Sequence, residues 1–441
     1  MQSLSPAARA LLTEKFHALL DGSDIVATNA TPKQALDDLE SFFLIEGRAF
    51  IREVFQERFQ EYIEQTEGNA SPDCVDCKKK TTIEDIKKKT LISAHGAIKI
   101  KRRYHLCSPC EKYSYPVDVT LGLPKKYTNG LKRMVARCVG QTSYEIAKGN
   151  LAELCQIYLS PTTIGKVADE TAGEVEERLK NNPDVCRNFQ QAKGETEFYA
   201  DGAFVHILNA DGTREWREFK LGAFAKRLNG LFALPSEWAT RKFPKPTAVY
   251  AFAAIVSKEE FQELCQQMRR TLGVGGVTSA LGDGAKWIWN IVRALFGKTH
   301  ECLDIYHGAE HISDCGKVLF GESASKDWFE RMRLVLLSEG FAGMERELQL
   351  LKVGLKASQC KSVDSLFEYL RSNAHRLPYA ERLAAGRAIG SGLIESACKS
   401  LVGKRLKQTG ACWRLPRVNR IATLCAALYS DQWELAWKIT H

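Results

Sequence analysis

No apolar run in this chain reaches the ~18 residues that a membrane-spanning helix needs. The opening stretch, MQSLSPAARALLTEKF, lacks a basic segment followed by an apolar core and a small-residue cleavage site, so it does not read as a signal peptide. Both absences point to a cytoplasmic protein, in which the 14 cysteines are expected as thiols or metal ligands rather than disulfides. A phosphate-cradling glycine loop is missing, because Gly273-Val-Gly-Gly276 lacks the Lys-Ser/Thr that ATP binding requires. A nucleophile elbow is missing too, which argues against covalent serine or cysteine catalysis. There is no internal repeat and no low-complexity stretch. With 44% hydrophobic and 26% charged residues, wholesale disorder and collagen-like repeats are excluded.

What is present is a chain of 441 residues, enough for two to four domains, with a net charge of +9 that is unevenly spread. Residues 74–135 carry 15 Lys/Arg against 5 Asp/Glu, and residues 396–420 carry 7 Lys/Arg and no acid. The remainder is mildly acidic. Two concentrated basic stretches on a near-neutral body are either solvated surface or the footprint of a polyanion partner, usually nucleic acid.

Residues 1–70 read as helices, with Leu36, Leu39, Phe42, Phe43, Phe50, Val54, Phe55, Phe59 and Ile63 near helical spacing. Thr31-Pro32 is the expected start of one of them. Residues 71–125 change character: two Cys-x-x-Cys pairs bracket a β-branched segment in which Ile98, Ile100, Arg102 and Tyr104 alternate with Lys99, Lys101, Arg103 and His105. A hairpin turn is expected at His95-Gly96. Residues 126–190 return to helical periodicity, and Ser160-Pro161-Thr162-Thr163 opens a helix. This pattern fits a helix-turn-helix, with 160–175 as recognition helix, or simply core-packed helices. From residue 197 strands are expected at Phe198–Leu208, Glu215–Phe224, Thr247–Val256, Val277–Leu281 and His300–Ile305, the first two forming a hairpin around Asn209-Ala-Asp-Gly212. A helix is expected at Lys258–Leu272. That order is α/β with a mixed sheet. Residues 316–388 read as an all-α insertion and 389–441 as a helical C-terminal segment.

Cys74-Val-Asp-Cys77 and Cys107-Ser-Pro-Cys110 have zinc-knuckle spacing, and four thiolates complete a closed tetrahedral Zn²⁺ site that folds a domain and does not catalyse. The 29 intervening residues are more than the usual number but fit a three-stranded ribbon. Lys99, Lys101, Arg102 and Arg103 on that ribbon are candidate phosphate contacts. Two aspartates sit in apolar strand contexts, Asp201 in Tyr-Ala-Asp-Gly-Ala and Asp283 in Leu-Gly-Asp-Gly-Ala, where a carboxylate is costly unless paired or bound to a cation. Glu395 falls in the first turns of a helix begun at Ser391-Gly392. Three such acids can hold two Mg²⁺ ions, with Mn²⁺ as a substitute, about 3.5–4 Å apart for phosphodiester chemistry. Lys399, Lys404, Arg405 and Lys407 follow as a basic cluster suited to a DNA strand. Trp413 offers either a stacking surface for a base or a core side chain. Asp304 and His307 either end a strand or stand near the acids as accessory groups, and Asp304 is the chief rival as a metal ligand. His311 and His375 read as ordinary helix residues.

The segments Asp201-Gly-Ala, Gly282-Asp283-Gly-Ala-Lys-Trp-Ile, Asp304-Ile-Tyr-His307, Gly390-Ser-Gly-Leu-Ile-Glu395 and Arg405-Leu-Lys-Gln-Thr-Gly410-Ala-Cys-Trp413 together resemble the DDE transposases of bacterial insertion sequences, closest to the ISKra-type family and its ISLre-type relatives. Asp304-x-x-His307 further resembles a D-x-x-H signature of Mutator-like transposases. The resemblance covers roughly residues 70–430. It implies a multidomain α/β protein: an N-terminal helical domain (1–70), a zinc ribbon (71–125), a helix-turn-helix-like DNA-binding region (126–190) and an RNase H-like catalytic domain (191–315 and 389–441) interrupted by the all-α insertion (316–388). It implies Asp201, Asp283 and Glu395 as the metal-binding triad. The implied activity is Mg²⁺-dependent cleavage and 3′-OH strand transfer on double-stranded DNA, at terminal inverted repeats and target, by a homo-oligomer at the nucleoid. An RNase H-like nuclease without strand transfer, or a non-catalytic zinc-dependent DNA-binding derivative, are the alternatives.

Overall fold

Residues 4–68, 71–352 and 354–437 are described by the structure, a computed structural model. Residues 69–70, at the expected end of the first helical domain, and 438–441, at the end of the last segment, lie outside them. The chain divides into two units, one of Met1–Cys138 with Tyr144–Val167, the other of Val139–Ser143 with Ala168–His441. The division therefore falls inside the helix Pro161–Asn181 and not at either end of the expected segment 126–190. No described helix is long and apolar enough to cross a membrane.

In the first unit, the helices Pro6–Asn29, Ala35–Phe42 and Arg48–Glu67 precede an antiparallel sheet of β1 (Thr82–Ser93), β2 (Gly96–Cys107) and β3 (Lys112–Ser114) in that order. Residues 32–34 form a turn, and the second helix begins at Ala35, three residues later than the Thr31-Pro32 signal predicts. Phe55, Phe59 and Ile63 recur every fourth residue on Arg48–Glu67, and Ile98 and Ile100 share one face of β2. The two sets pack with Leu91 and Val117 into one core. β3 pairs only with 105–107, which leaves the rest of that edge of β2 open. Helix side chains close it: Gln56 Oε1, Gln60 Oε1 and Glu67 Oε1 accept from the amides of Lys99, Lys101 and Arg103 at 2.8, 2.7 and 2.7 Å.

The second unit is a mixed α/β body. β4 (Glu195–Leu208), β5 (Arg214–Arg227), β6 (Ala248–Ala254), β7 (Ser279–Gly282) and β8 (His300–Leu303) form one sheet in the order β6-β5-β4-β7-β8. The first three strands are an antiparallel meander, and β7 and β8 run parallel to β4. The β4–β5 turn sits at the expected Asn209–Gly212, where Gly212 takes φ 86°. Helices Lys258–Thr271 and Lys286–Phe296 supply the crossovers that parallel pairing demands. Phe198, Phe219, Phe224, Phe261 and Trp289 are fully buried around the sheet.

Most strand boundaries shift by one to three residues from the sequence expectation, and two differences bear on the site. The last strand stops at Leu303 because Asp304 caps the next helix, its Oδ1 accepting from Tyr306 N at 2.9 Å. The helical insertion accordingly starts at Ile305 instead of 316. It runs to Leu351 with breaks at Gly321 and Gly340, whose φ values of 77° and 60° are left-handed. Ala357–Ser372 and Tyr379–Ala384 complete it, and the chain returns through Gly392–Ala397, a π-helical turn Cys398–Gly403, and Leu415–Tyr429.

Candidate active site and metal centre

The first unit holds a thiol cluster. Cys74 Sγ lies 4.0 Å from Cys110 Sγ, and Cys77 Sγ lies 3.5 Å from Cys107 Sγ. All four sulfurs fall within 4.8 Å of one another, so the group could hold a metal ion such as zinc. A tetrahedral ion with bonds of about 2.3 Å places its sulfurs roughly 3.8 Å apart, which these separations bracket. Each Cys-x-x-Cys pair is followed by a non-glycine residue in the left-handed region, Lys78 (φ 59°) and Glu111 (φ 53°), so the two turns curl the same way. Amide N–H groups of Cys77 and Asp76 lower the Cys74 thiol to about 7, while hydrogen bonds with neighbouring sulfurs push Cys110 up to about 12. Four thiols in one small space are a donor set that a divalent cation would hold as thiolates.

The second unit brings the acids to one edge of its sheet. Tyr199 pairs with Leu281 across β4 and β7, and Gly282 with Leu303 across β7 and β8. Carrying both registers forward sets Asp201, midway along β4, beside Asp283 and Asp304, which directly follow the short parallel strands β7 and β8. Gly282 makes this spacing possible: a Cβ there would sit 3.3 Å from the Ala200 carbonyl oxygen and 3.1 Å from Ile288 Cγ2. Asp201 Oδ1 accepts from Gly202 N at 2.7 Å. Burial raises Asp201 to about 6; the hydrogen bond from Gly202 opposes this, and the charges of Asp283 and Asp304 add to it. Asp283 Oδ1 accepts from Ala285 N at 2.8 Å, and its carbonyl accepts from Trp289 Nε1 at 3.0 Å, so its turn is pinned to the helix that follows.

Asp304 is buried and fully engaged. Its amide donates to the Gly282 carbonyl at 2.9 Å, one carboxylate oxygen accepts from Tyr306 N, and the other accepts from the Ser391 hydroxyl. Ser391 precedes the helix Gly392–Ala397 that carries Glu395, so Asp304 anchors the start of that helix to the row of aspartates. His307 is partly exposed, with Nδ1 3.8 Å from Glu310 Oε2, and its charge lowers the Asp201 pKa. The helix Gly392–Ala397 packs on β4 and β5. Glu395 is exposed and turned to Lys399 at 2.7 Å. Cys398, one turn on, is raised to about 11 by burial and then by the charge of Asp201, with Glu395 adding and Lys407 opposing. The carboxylates thus share one electrostatic neighbourhood. Among the described residues, however, only the four thiols form a group of three or more donors within 4.8 Å of one another.

Three expected DNA contacts are corrected. Arg102 is buried, ion-paired to Asp118 at 2.5 Å, with its guanidinium 3.5 Å from the Tyr115 ring centre. Arg405 is 2% exposed, with Nε donating to the Val139 carbonyl at 2.6 Å. Trp413 is buried: its backbone bridges to Ile207, its Nε1 donates to the Leu406 carbonyl at 2.9 Å, and Arg405 lies over its ring. Alternation along a strand and membership of a basic run signal a cation's place, not whether it faces water. Arg103 is tied to Glu67 at 3.6 Å, whereas Lys99, Lys101, Lys399, Lys404 and Lys407 are exposed. His311, expected as an ordinary helix residue, stacks on Tyr369 with ring centres 3.7 Å apart, and burial lowers its pKa. Tyr369 in turn lies over Gly284, where a Cβ would come within 2.8 Å of its ring. Sequence reasoning placed Ser391 at a helix start but missed its hydrogen bond to Asp304, and it missed Cys398 and Tyr369.

A sequence model of an uncharacterised protein family, UPF0236, matches residues 40–211. The match spans the thiol cluster and β4 with Asp201, and ends before Asp283 and Glu395. None of the curated proteins matches the chain.

Proposed function

We propose that the chain is a DDE-type transposase acting on double-stranded DNA. The observation that carries this reading is the alignment of Asp201 and Asp283 on adjacent parallel strands, with the helix bearing Glu395 packed on the same central strand. An antiparallel meander of three strands, its first strand central and followed outward by two parallel ones, agrees with an RNase H-like catalytic domain. The helical segment from Ile305 to Ala384 lies between the second aspartate and the glutamate, as such a transposase would have it.

All the donors are carboxylate oxygens, which suit Mg²⁺ or Mn²⁺. The raised pKa of Asp201 supports a cation there, because a bound cation would offset its buried charge. Asp201 and Asp283 would hold the ions, with Glu395 completing the site after leaving Lys399. Divalent cations so held would lower the pKa of a water or 3′-hydroxyl and neutralise the leaving oxygen. The chain's own groups fix the geometry. Gly202 and Ala285 amides orient the two aspartates, and Ser391 and Asp304 hold the entry to the glutamate helix. Lys404 and Lys407 would take phosphates of the strand being cut. The thiol-clustered hairpin reads as a zinc ribbon that presents Lys99 and Lys101 to DNA at the element's terminal inverted repeats, in a homo-oligomer that pairs two ends.

The test is cleavage of labelled DNA carrying the sequences that flank the coding segment, with Mg²⁺, by wild type and Glu395→Ala. Cutting by wild type alone supports the triad. Cut ends without joined products would favour a nuclease, and DNA binding without cutting by either protein would favour a non-catalytic binding protein.

A further inference from the structure

In the first unit β1 lies at an edge of its sheet, with β2 on one side only. Near the hairpin turn its outer side is taken: Ile92 N donates to the Lys126 carbonyl at 2.8 Å, and Thr128 N donates to the Ile92 carbonyl at 3.0 Å. Backbone groups facing one edge recur every second residue, so Thr90, Lys88 and Ile86 turn their amides and carbonyls the same way. The Ile86 amide donates to the carboxylate of its own neighbour, Asp85, at 2.6 Å. Among the described residues nothing pairs with the outward amides of Lys88 and Thr90. Residues 82–88 are all exposed, Ile86 at 60%. An open edge of this kind is a template for another strand.

The charge pattern selects the strand that fits. Glu84-Asp85-Ile86-Lys87-Lys88 reads acid, acid, apolar, base, base. Laid antiparallel on a copy of itself about Ile86, it sets Asp85 opposite Lys87, Glu84 opposite Lys88 and Ile86 opposite Ile86. Moving the axis to Lys88 would instead set Lys88 opposite Lys88 and Lys87 opposite Lys89, and a parallel copy in register would set like on like throughout. A two-fold interface demands such self-complementarity, because one patch serves both partners. In the single chain Lys87 folds back on Asp85, and Lys89 is turned inward to Asp118 at 3.0 Å. Lys87 and Lys88 are therefore the cations that a partner strand would meet. The bulge between Ile83 and Asp85 and the occupied Ile92 bound the open run, so pairing is confined to a short segment. A nucleic-acid strand fits this edge poorly, since Glu84 and Asp85 would face its phosphates.

We infer that two copies of the chain join through this edge, β1 pairing antiparallel with β1 about Ile86, with Asp85–Lys87 and Glu84–Lys88 ion pairs across the seam. The two three-stranded sheets then become one continuous sheet. Asp85 gives up the Ile86 amide to the partner's backbone and turns to the partner's lysine. Lys99 and Lys101 stand opposite Thr90 and Lys88 on β2, on the inner side of β1, and stay outside the seam. The inference draws on neither the acidic row nor DNA, and its test needs no DNA, so its failure and that of the transposase reading are distinguishable.

The test follows the mass of the full-length protein by sedimentation equilibrium over a range of concentrations. Wild type is compared with Glu84→Lys plus Asp85→Lys, with Lys87→Glu plus Lys88→Glu, with Lys88→Pro and with Lys88→Ala. Wild type should be a reversible dimer that weakens about threefold or more as salt rises from roughly 0.05 to 0.5 M. Each charge-reversed variant alone should associate about tenfold more weakly, and an equimolar mixture of the two should regain dimers holding one chain of each. Lys88→Pro keeps the β1–β2 ladder, because that amide points away from β2, yet it should lose association that Lys88→Ala retains in part. Circular dichroism melts show which variants fold; the charge reversals and the proline act on different groups, so misfolding of one leaves the other to decide. A monomeric wild type, association unchanged in the folded charge variants or in folded Lys88→Pro, or reversed variants that fold but do not recombine would each overturn the inference.

Discussion

Replacing Asp201 with asparagine should make the metal-free protein more stable at neutral pH. An aspartate raised from 3.8 to about 6 by burial is ionised at pH 7.5 against the preference of its surroundings. The sign follows from linkage: a carboxyl whose folded pKa lies above its unfolded one favours the folded state while protonated and opposes it as pH rises through the folded value. A shift of about two pH units corresponds to roughly 3 kcal/mol at pH 7.5 and to about half as much at pH 5. Asparagine keeps an oxygen to accept from Gly202 N, so the 2.7 Å hydrogen bond need not be lost. The measurement is urea unfolding of wild type and Asp201→Asn, followed by tryptophan fluorescence at pH 5 and 7.5 without added divalent ions. The variant should gain on wild type by about 2–3 kcal/mol at pH 7.5 and by less at pH 5. Added Mg²⁺ should stabilise wild type and leave the variant little changed. A variant destabilised equally at both pH values would refute the reasoning, because the buried charge would then carry no penalty.

Two further outcomes can be checked. The purified protein should carry about one zinc ion per chain. Cys77→Ser with Cys107→Ser should lose it and unfold the first unit at a temperature lower by on the order of 10 °C; a metal-free preparation melting like the zinc-loaded one would count against the cluster's structural role. The exposed pair Lys99 and Lys101 should report on DNA differently from their buried neighbour. Replacing both with alanine should reduce the slope of log affinity against log salt by about two, whereas Arg102→Ala should leave that slope alone and cost about 2 kcal/mol of stability through the lost Asp118 pair.

The fold was legible where periodicity and punctuation agreed. β4 and β5 showed as two apolar runs around an Asn-Ala-Asp-Gly turn, and β7 as a buried run after an amphipathic helix. The extent of the insertion was not legible, because Asp304 can end a strand or cap a helix, and only the hydrogen bond to Tyr306 decides between them. The two strand aspartates stood out because an acid in apolar surroundings calls for an explanation. Their side-by-side register did not, since it depends on which strands the crossovers make neighbours. The basic residues were the least legible: Arg102 and Arg405 lie in runs that look solvent-facing and are both buried.

The order of the chain also sets a schedule during synthesis. All five strands of the larger sheet are complete by Leu303, but Glu395 follows 92 residues later. At the usual 5–20 residues per second, the ribosome takes about 5 to 18 s to cover that distance. A nascent chain, or one cut short anywhere in the insertion, therefore carries both strand aspartates without the glutamate proposed to complete them. For a protein read as a cutter of DNA, this would keep unfinished copies silent until the chain has been extended through Glu395.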